Sequence, residues 1–534
     1  MSADQANSDL GADVIIVGGG PVGLGLAIDL AGRGVSSHVI ERTTSLHRIP
    51  KGQNLTQRTG EHFRAWGISK AVRDASPIPR SFGNAGVVAY NNLMGDYAYD
   101  WFTRGAVGDY YFAENERLPQ YELERVLRDH AANLAPITLH YGWTAAGITQ
   151  DADGVTVEME DRETGGHKTV HGDYAAGCDG ARSFVREATG IEHDVTPHER
   201  KMTLLVLKSH ELDKLLERYP GKSIFNVLKP ELDGYWQFLG RVDIDGTWFF
   251  HAPVPHSTTA ENFDFHAFLH TAVGAEFQVD IDYIGFWDLR IAVAKAYQMG
   301  RVFIAGDAAH SHPPYGGYGV NNGLEDARNL SWKLAAALAG WAGKDLLASY
   351  SLERQPVFMS TARDFIGRMI DDDKSFGDSF SPEKDKAAFE AAWAERAAGG
   401  NMDVTQYVPN YAGSPIVWGI DGERSSAVGT HSFQARAGYH LAPQPLASAA
   451  DMFDEIGTGY TLLSFSGEDS VADAFKTAAA ERNLPMAIVA DVSKAALEAY
   501  GARYVLVRPD LFVAWSGNDL PRPAGEVLAR ACGD

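Results

Sequence analysis

The sequence predicts an α/β chain: a parallel-sheet dinucleotide-binding fold, an interleaved antiparallel sheet, and a small α/β domain at the C-terminus. Three observations predict it. Residues 13–41 read strand, Gly-rich turn, helix, strand, with Gly18, Gly20 and Gly23 in G-x-G-x-x-G spacing and Glu41 closing the second strand. Residues 201–255 are rich in Trp, Tyr, Phe and Val that alternate as strands do. From Tyr460 onward, short apolar runs and helical patterns alternate again.

In the first unit, Asp13 to Val17 is an apolar run suited to a buried parallel strand. Gly18 makes the turn, Gly20 lets a pyrophosphate approach, and Gly23 lets helix and strand pack. Leu24, Ala27, Ile28 and Ala31 form one helix face, and Gly34 ends the helix. Glu41, at the end of the next strand, is placed to accept ribose hydroxyls.

Residues 47–59 are basic and polar, and Glu61 to Gly67 continue as a helix. Residues 80–113 alternate aromatic and small residues, which predicts antiparallel strands. Pro119-Gln120 starts a helix through Arg128, with Leu123 and Leu127 facing inward. Residues 137–160 read as strands with a turn at Asp153-Gly154, and 161–173 as a surface hairpin. Tyr174 to Ser183 is a strand that ends in Asp179-Gly180 and leads into a helix.

After the aromatic sheet, residues 262–277 predict a helix and Ile281 to Ile291 a strand. The stretch 301–334 is the densest in special residues. A buried strand ends at Gly306-Asp307, Pro313-Pro314 makes a rigid turn, and Gly316-Gly317-Tyr318-Gly319 opens a helix on which Leu324, Ala327, Leu330 and Leu334 recur. Glycines allow close backbone approach, and a helix N-terminus offers free N–H groups to an anionic or electron-rich ligand. Helix continues to about Met369. Residues 370–450 are polar and partly irregular. The tail then reads strand, helix, strand, strand, and ends in a helix.

The chain has 534 residues, 45% hydrophobic and 22% charged, as globular proteins do. Its net charge of −23 opposes binding to nucleic acid or anionic lipid. Cys178 and Cys532 are the two cysteines, and no metal-ligand spacing exists. The first apolar run, Val14 to Val17, is too short for a signal sequence, and no stretch of 18 apolar residues exists. A cytoplasmic protein is expected, with its oligomeric state open and a homodimer among the options.

Gly18 to Glu41, Cys178-Asp179-Gly180 and Gly306-Asp307 stand in an order that resembles the FAD-dependent aromatic hydroxylases, the single-component flavoprotein monooxygenases typified by para-hydroxybenzoate hydroxylase and phenol hydroxylase. Lys51 to Thr59, Gln120 with Leu123-Glu124, and Tyr350-x-x-Glu353-Arg354-x-Pro356 resemble further family segments, although the family usually has Arg where Lys51 stands. The resemblance implies an FAD-binding domain over 1–80, 105–200 and 295–370, a substrate sheet over 81–104 and 201–294, a connecting segment over 371–450, and a thioredoxin-like domain over 451–534. That last domain lacks the Cys-x-x-Cys motif.

By the same resemblance, Gly18, Gly20 and Gly23 hold the FAD pyrophosphate and Glu41 the ribose. Arg42, Lys51 and Gln120 lie along the cofactor, Asp307 binds the ribitol chain, and the amides of Gly319, Val320 and Asn321 meet the flavin's pyrimidine edge. Asp179 supports FAD and the nicotinamide donor. No second G-x-G-x-x-G appears, so NAD(P)H would bind transiently. The implied reaction uses NAD(P)H and molecular oxygen to hydroxylate a phenolic or polyketide-like aromatic substrate through a flavin hydroperoxide.

Candidate substrate residues are Tyr235, Trp236, Gln237 and Phe249. In a strand, Tyr235, Gln237 and Leu239 share one face, and Trp236 and Phe238 share the other. Which face lines the pocket is open. His251 is a candidate base or a structural histidine. Pro314 and Tyr315 are candidates to confine the flavin, and Gly319 is expected at its edge or at a positive φ. Baeyer–Villiger or epoxidising oxygen insertion on the same fold, and a non-catalytic FAD redox sensor, are the alternatives.

Overall fold

The computed structural model describes residues 10–82, 85–400, 402–467 and 470–534. Residues 1–9, counted in the expected first domain, and 83–84, in the expected substrate sheet, lie outside the described residues.

Five parallel strands form the centre of the first sheet, in the order Val302–Ile304, His167–Gly177, Leu10–Val17, Ser37–Glu41 and Ile137–Tyr141. Val14, Ile15, Ile16, Val39, Ala175, Ala176 and Phe303 are fully or almost fully buried here, in one core with Leu26 and Leu30 of the helix Pro21–Ala31, Leu330 and Leu334 of Tyr318–Leu338, and Ala145, Val157 and Met159 of the hairpin strands Trp143–Gln150 and Val155–Asp161. The helix Pro21–Ala31 packs on the long helix Tyr318–Leu338. Gly25 permits this, since a side chain there would meet Trp66 and Leu324.

The second sheet has eight strands, in the order His310–Ser311, Asp280–Ala294, His193–Lys208, Thr247–Pro255, Trp236–Arg241, Ile224–Leu228, Gly86–Tyr90 and Ala98–Trp101. One face carries Val87, Leu205, Phe225, Leu239, Trp248 and Phe250, sealed by Leu212, Phe265 and Leu269 from two helices. Each such buried side chain contributes roughly 1.5–3 kcal/mol. The other face looks toward the FAD-loop region, and His310–Ser311 of that loop hydrogen-bonds to the sheet's long strand Asp280–Ala294.

Three expectations change. The aromatic stretch 80–113 is strand only to Trp101, and Arg104–Tyr110 is a 3-10 helix. The segment 371–450 is more ordered than its polar composition implies. It holds the helices Arg368–Ser379 and Lys386–Ala398; Phe389 and Trp393 of the second pack on Tyr90, Tyr97 and Tyr99, and Phe376 of the first packs on Phe389 and Trp393. In the tail, a helix Lys494–Tyr500, capped by Ser493 and ended by Gly501 at φ +67°, completes a βαβαββα unit. Its four strands run in the order Met486–Ala490, Tyr460–Ser464, Tyr504–Val507, Val513–Gly517, a thioredoxin-like arrangement.

Candidate active site

The Gly-rich turn is built as its spacing demands. Gly18 has φ +107°, and a Cβ on it would collide with the Cys178 carbonyl, so the first motif lies directly on Cys178-Asp179. A Cβ on Gly23 would collide with the Gly18 carbonyl. Gly20, the N-cap of Pro21–Ala31, faces open space and no side chain caps that helix, so its first N–H groups remain available for an anion. One Glu41 oxygen accepts the Gly19 N–H at 2.7 Å, and the other accepts the Thr43 N–H at 2.8 Å. The carboxylate is thus held at the mouth of the turn.

Asp307 is exposed and lines a small recess with Arg290 and His310, and its carboxylate has no hydrogen-bond partner among the described residues. Desolvation in that recess raises its pKa, opposed by His310, Lys51 and Arg290. His310 itself is committed elsewhere. Its Nε2 lies 2.7 Å from Asp326, and its ring stacks on Phe358 at 4.1 Å. Asp179 accepts the Val185 N–H at 3.1 Å with one oxygen, while the other is buried without a partner, and burial raises its pKa. Arg42 is exposed, as is Lys51.

The helix Tyr318–Leu338 begins at Gly317, φ +71°, again without a side-chain cap. Gly52 brings Gln120 and Val320 together: a Cβ on it would lie 3.6 Å from Gln120 Oε1 and 3.8 Å from Val320. The Asn321 side chain is fully used. Its Oδ1 accepts from Thr56 N–H and Thr59 hydroxyl, and its Nδ2 donates to the Asn54 and Gly317 carbonyls. The positive φ expected at Gly319 is not there. Gly316 (+62°) and Gly317 (+71°) absorb the turn, and Gly319 instead borders empty space.

The face of the substrate sheet left open by the sequence is resolved. Trp236, Phe238, Phe249 and His251 lie on the side of the FAD-binding unit, where Ile49 packs on their cluster with Trp287. Gln237 does not join them. It pairs with Val227 and is turned to the helix-covered face with Leu239, so strand alternation removes it from the pocket wall. Tyr235 precedes the strand and escapes that alternation, reaching Tyr315 at 5.8 Å.

Tyr315 is buried edge-on against Trp236 at 4.7 Å, while Pro314 is exposed. Tyr315 is therefore a wall element of an aromatic cluster and not a free group above a ring system. His251 is enclosed by Phe249 and Trp287, and burial lowers its pKa to about 3. It is neutral near pH 7 and a weak base.

Sequence reasoning missed Trp287 and Arg117. Trp287 follows the alternation of its strand and was readable. Arg117 bridges Gln53 on the loop side to the Ser223 and Arg241 carbonyls of the sheet, a contact set by tertiary structure alone.

The Gly20 and Gly319 spaces, the unpartnered Asp307 and the two uncapped helix starts fit a dinucleotide with an anionic middle and an electron-rich ring system. Among the described residues no helix is long and apolar enough to cross a membrane, and no group of three His, Cys, Asp or Glu could hold a metal ion.

A family model described as "FAD binding domain" matches residues 11–364, and one described as "Aromatic-ring hydroxylase, C-terminal" matches 435–534. The chain is 29% identical to a 4-methyl-5-nitrocatechol 5-monooxygenase of Burkholderia sp, over 98% of this chain and 97% of the relative. It is 28% identical to the tetracenomycin A2 monooxygenase-dioxygenase of Streptomyces glaucescens, over 97% and 95%. The crystal structure of the flavin-dependent monooxygenase PieE with FAD and substrate superposes with a TM-score of 0.85 at 26% identity, over 98% of this chain and 99% of that one. Matched in this way over nearly its whole length, the chain belongs to the FAD-dependent aromatic-ring hydroxylases, flavoprotein monooxygenases of mixed α/β fold.

Proposed function

We propose that this hydroxylase takes electrons from NAD(P)H and inserts one oxygen atom of O2 into an electron-rich ring of a phenolic or polyketide-like substrate. The reaction balances as Ar–H + O2 + NAD(P)H + H+ → Ar–OH + NAD(P)+ + H2O. The observation that carries this reading is the aromatic wall of Trp236, Phe238, Phe249 and Trp287 on the sheet face that meets Ile49 and Tyr315. Such a wall selects a flat apolar ring and leaves few polar groups to bind anything else.

In this reading Gly18, Gly20 and Gly23 cradle the pyrophosphate, Glu41 takes the ribose, and Arg42, Lys51 and Gln120 flank the cofactor. Asp307 accepts from the ribitol hydroxyls. The amides of Gly319, Val320 and Asn321 face the pyrimidine edge, where a helix N-terminus favours negative charge. FAD supplies the two-electron chemistry that activates oxygen.

The chain's own residues position and exclude. Tyr235, Tyr315 and Trp236 close the wall, and Pro313-Pro314 stiffens the turn that carries Gly316. Water kept out of that space favours oxygen transfer over loss as peroxide. His251, neutral, lines the wall and does not take the phenol proton. The domain limits given above are our working division, and the protein is expected in the cytoplasm, a homodimer being one option. A phenol and hydroxylated-polyketide panel, scored for ligand-stimulated NAD(P)H oxidation and for product, tests the reading.

A further inference from the structure

A cavity lies where the helix Tyr318–Leu338 meets the 3-10 helix Arg104–Tyr110, the strand Tyr407–Asn410 and the C-terminal unit. It is distinct from the FAD recess. Asn321, Asn322 and Glu325 line it. At about 100° per residue they share one helix face, roughly opposite the face of Val320 and Gly323 that meets Gly52 and Gly306.

Three cations reach this cavity, and two are matched. Arg58 pairs with Glu61 and Glu325, and Arg354 with Asp326. Arg104 is not matched. It is 4% exposed, has no carboxylate within ion-pair distance among the described residues, and its Nε has no hydrogen-bond partner. Its Nη2 donates only to the Gly316 carbonyl, at 3.2 Å. Asp403, the acid that senses its charge, is held by the Trp101 indole. Its guanidinium lies over the rings of Phe102 and Tyr318, at 4.3 and 5.2 Å, and the cavity wall also carries Tyr111, Tyr407, Phe512 and His431, whose pKa burial lowers. A buried guanidinium without a counter-charge carries a desolvation cost that an anion offsets.

We propose that this cavity is a second small-molecule site, apart from the reaction site, that takes a small aromatic carboxylic acid, its carboxylate on Arg104 and its ring among Tyr111, Tyr407 and Phe512. Through Arg104 and Gly316 the occupant touches the loop that precedes the flavin-facing helix start.

The probe is 4-bromobenzoate, added to the FAD-loaded protein. Calorimetric titration gives its Kd for the parent, for Arg104→Met, and for Val107→Phe, which narrows the cavity and keeps the charge. The bromine anomalous signal in crystals of the parent complex gives its position. We expect bromine in this cavity and a Kd weakened at least tenfold by either substitution, with FAD content unchanged. Bromine found only between the sheet and FAD, no binding at all, or an unaltered Kd in Arg104→Met overturns the proposal. NAD(P)H oxidation is a separate readout: its absence would count against the reaction proposed above and not against this site.

Discussion

Arg508 of the C-terminal unit grips Glu353, on the helix that follows the FAD loop, through Nη1 to Oε1 at 2.6 Å and Nη2 to Oε2 at 2.9 Å, with both side chains closed to solvent. Lys333 and Ser414 add bonds to the same carboxylate at 2.7 and 2.6 Å. The thioredoxin-like unit is therefore locked to the FAD-binding unit by a fully paired buried charge network.

Glu353→Gln should cost roughly 3–5 kcal/mol, because it leaves buried Lys333 without its carboxylate and Arg508 with Asp510 alone. Burial alone would raise the Glu353 pKa, but Arg508 and Lys333 overcome it and hold it well below the usual carboxylate range. A carboxyl depressed in the folded state stabilises above its unfolded pKa of about 4.3 and loses that contribution as pH falls below it. Urea unfolding at pH 7 and pH 4 measures both. A change under about 1 kcal/mol at pH 7 would show that the network does not hold the units together.

Glu41→Ala should weaken FAD binding by roughly 1.5–3 kcal/mol, about 10- to 150-fold, as loss of a hydrogen bond to a charged group does. Equilibrium dialysis reads it. Unchanged affinity would mean that the carboxylate serves only Gly19 and Thr43 and does not reach the ribose.

His251 should have no part in the pH–rate profile. With its pKa lowered to about 3 by burial, it stays neutral through the working range, and His251→Phe should leave every ionisation between pH 5 and 9 in place. Stability shows the linkage instead. Below about pH 6.5 the unfolded chain binds a proton that buried His251 refuses, so the parent loses up to about 1.4 kcal/mol per pH unit from this residue. Denaturant titrations at pH 7 and 5.5 should show a smaller acid loss for His251→Phe. A limb of the rate profile that disappears in the variant would restore His251 as a base.

The FAD turn and its partner acid were legible in sequence because their chemistry is local: glycines at fixed spacing and an acid at a strand end. The alternation of the sheet also correctly separated Gln237 from Trp236, although only the packing of Ile49 and Trp287 tells which face is used. Of the two expectations for Gly319, the positive φ fails for a physical reason. Three glycines of the loop, Gly316, Gly317 and Gly319, could each take the left-handed turn, and the neighbours that decide for Gly316 and Gly317, the Tyr318 ring and Asn54, come from the fold. Arg104 and Arg117 carry no sequence signal, since their partners are distant carbonyls.

Gly319→Ala and Gly316→Ala should therefore differ. A methyl at Gly319 enters open space at ordinary φ, so the variant should fold with parental Tm yet crowd the flavin edge and release more peroxide per product. Gly316→Ala meets the Tyr318 ring at φ +62° and should lower Tm by several degrees. Equal coupling in Gly319→Ala and parent would remove Gly319 from the flavin's surroundings.

Turnover under 18O2, with NAD(P)H, a panel of phenols and hydroxylated polycyclic ketones, and mass spectrometry of the products, shows whether oxygen from O2 enters the ring. The account predicts that at least one panel member speeds NAD(P)H oxidation and leaves as a hydroxylated product carrying one 18O atom. Label arriving from water, or NAD(P)H consumption that no aromatic ligand stimulates and that ends wholly in peroxide, would contradict it.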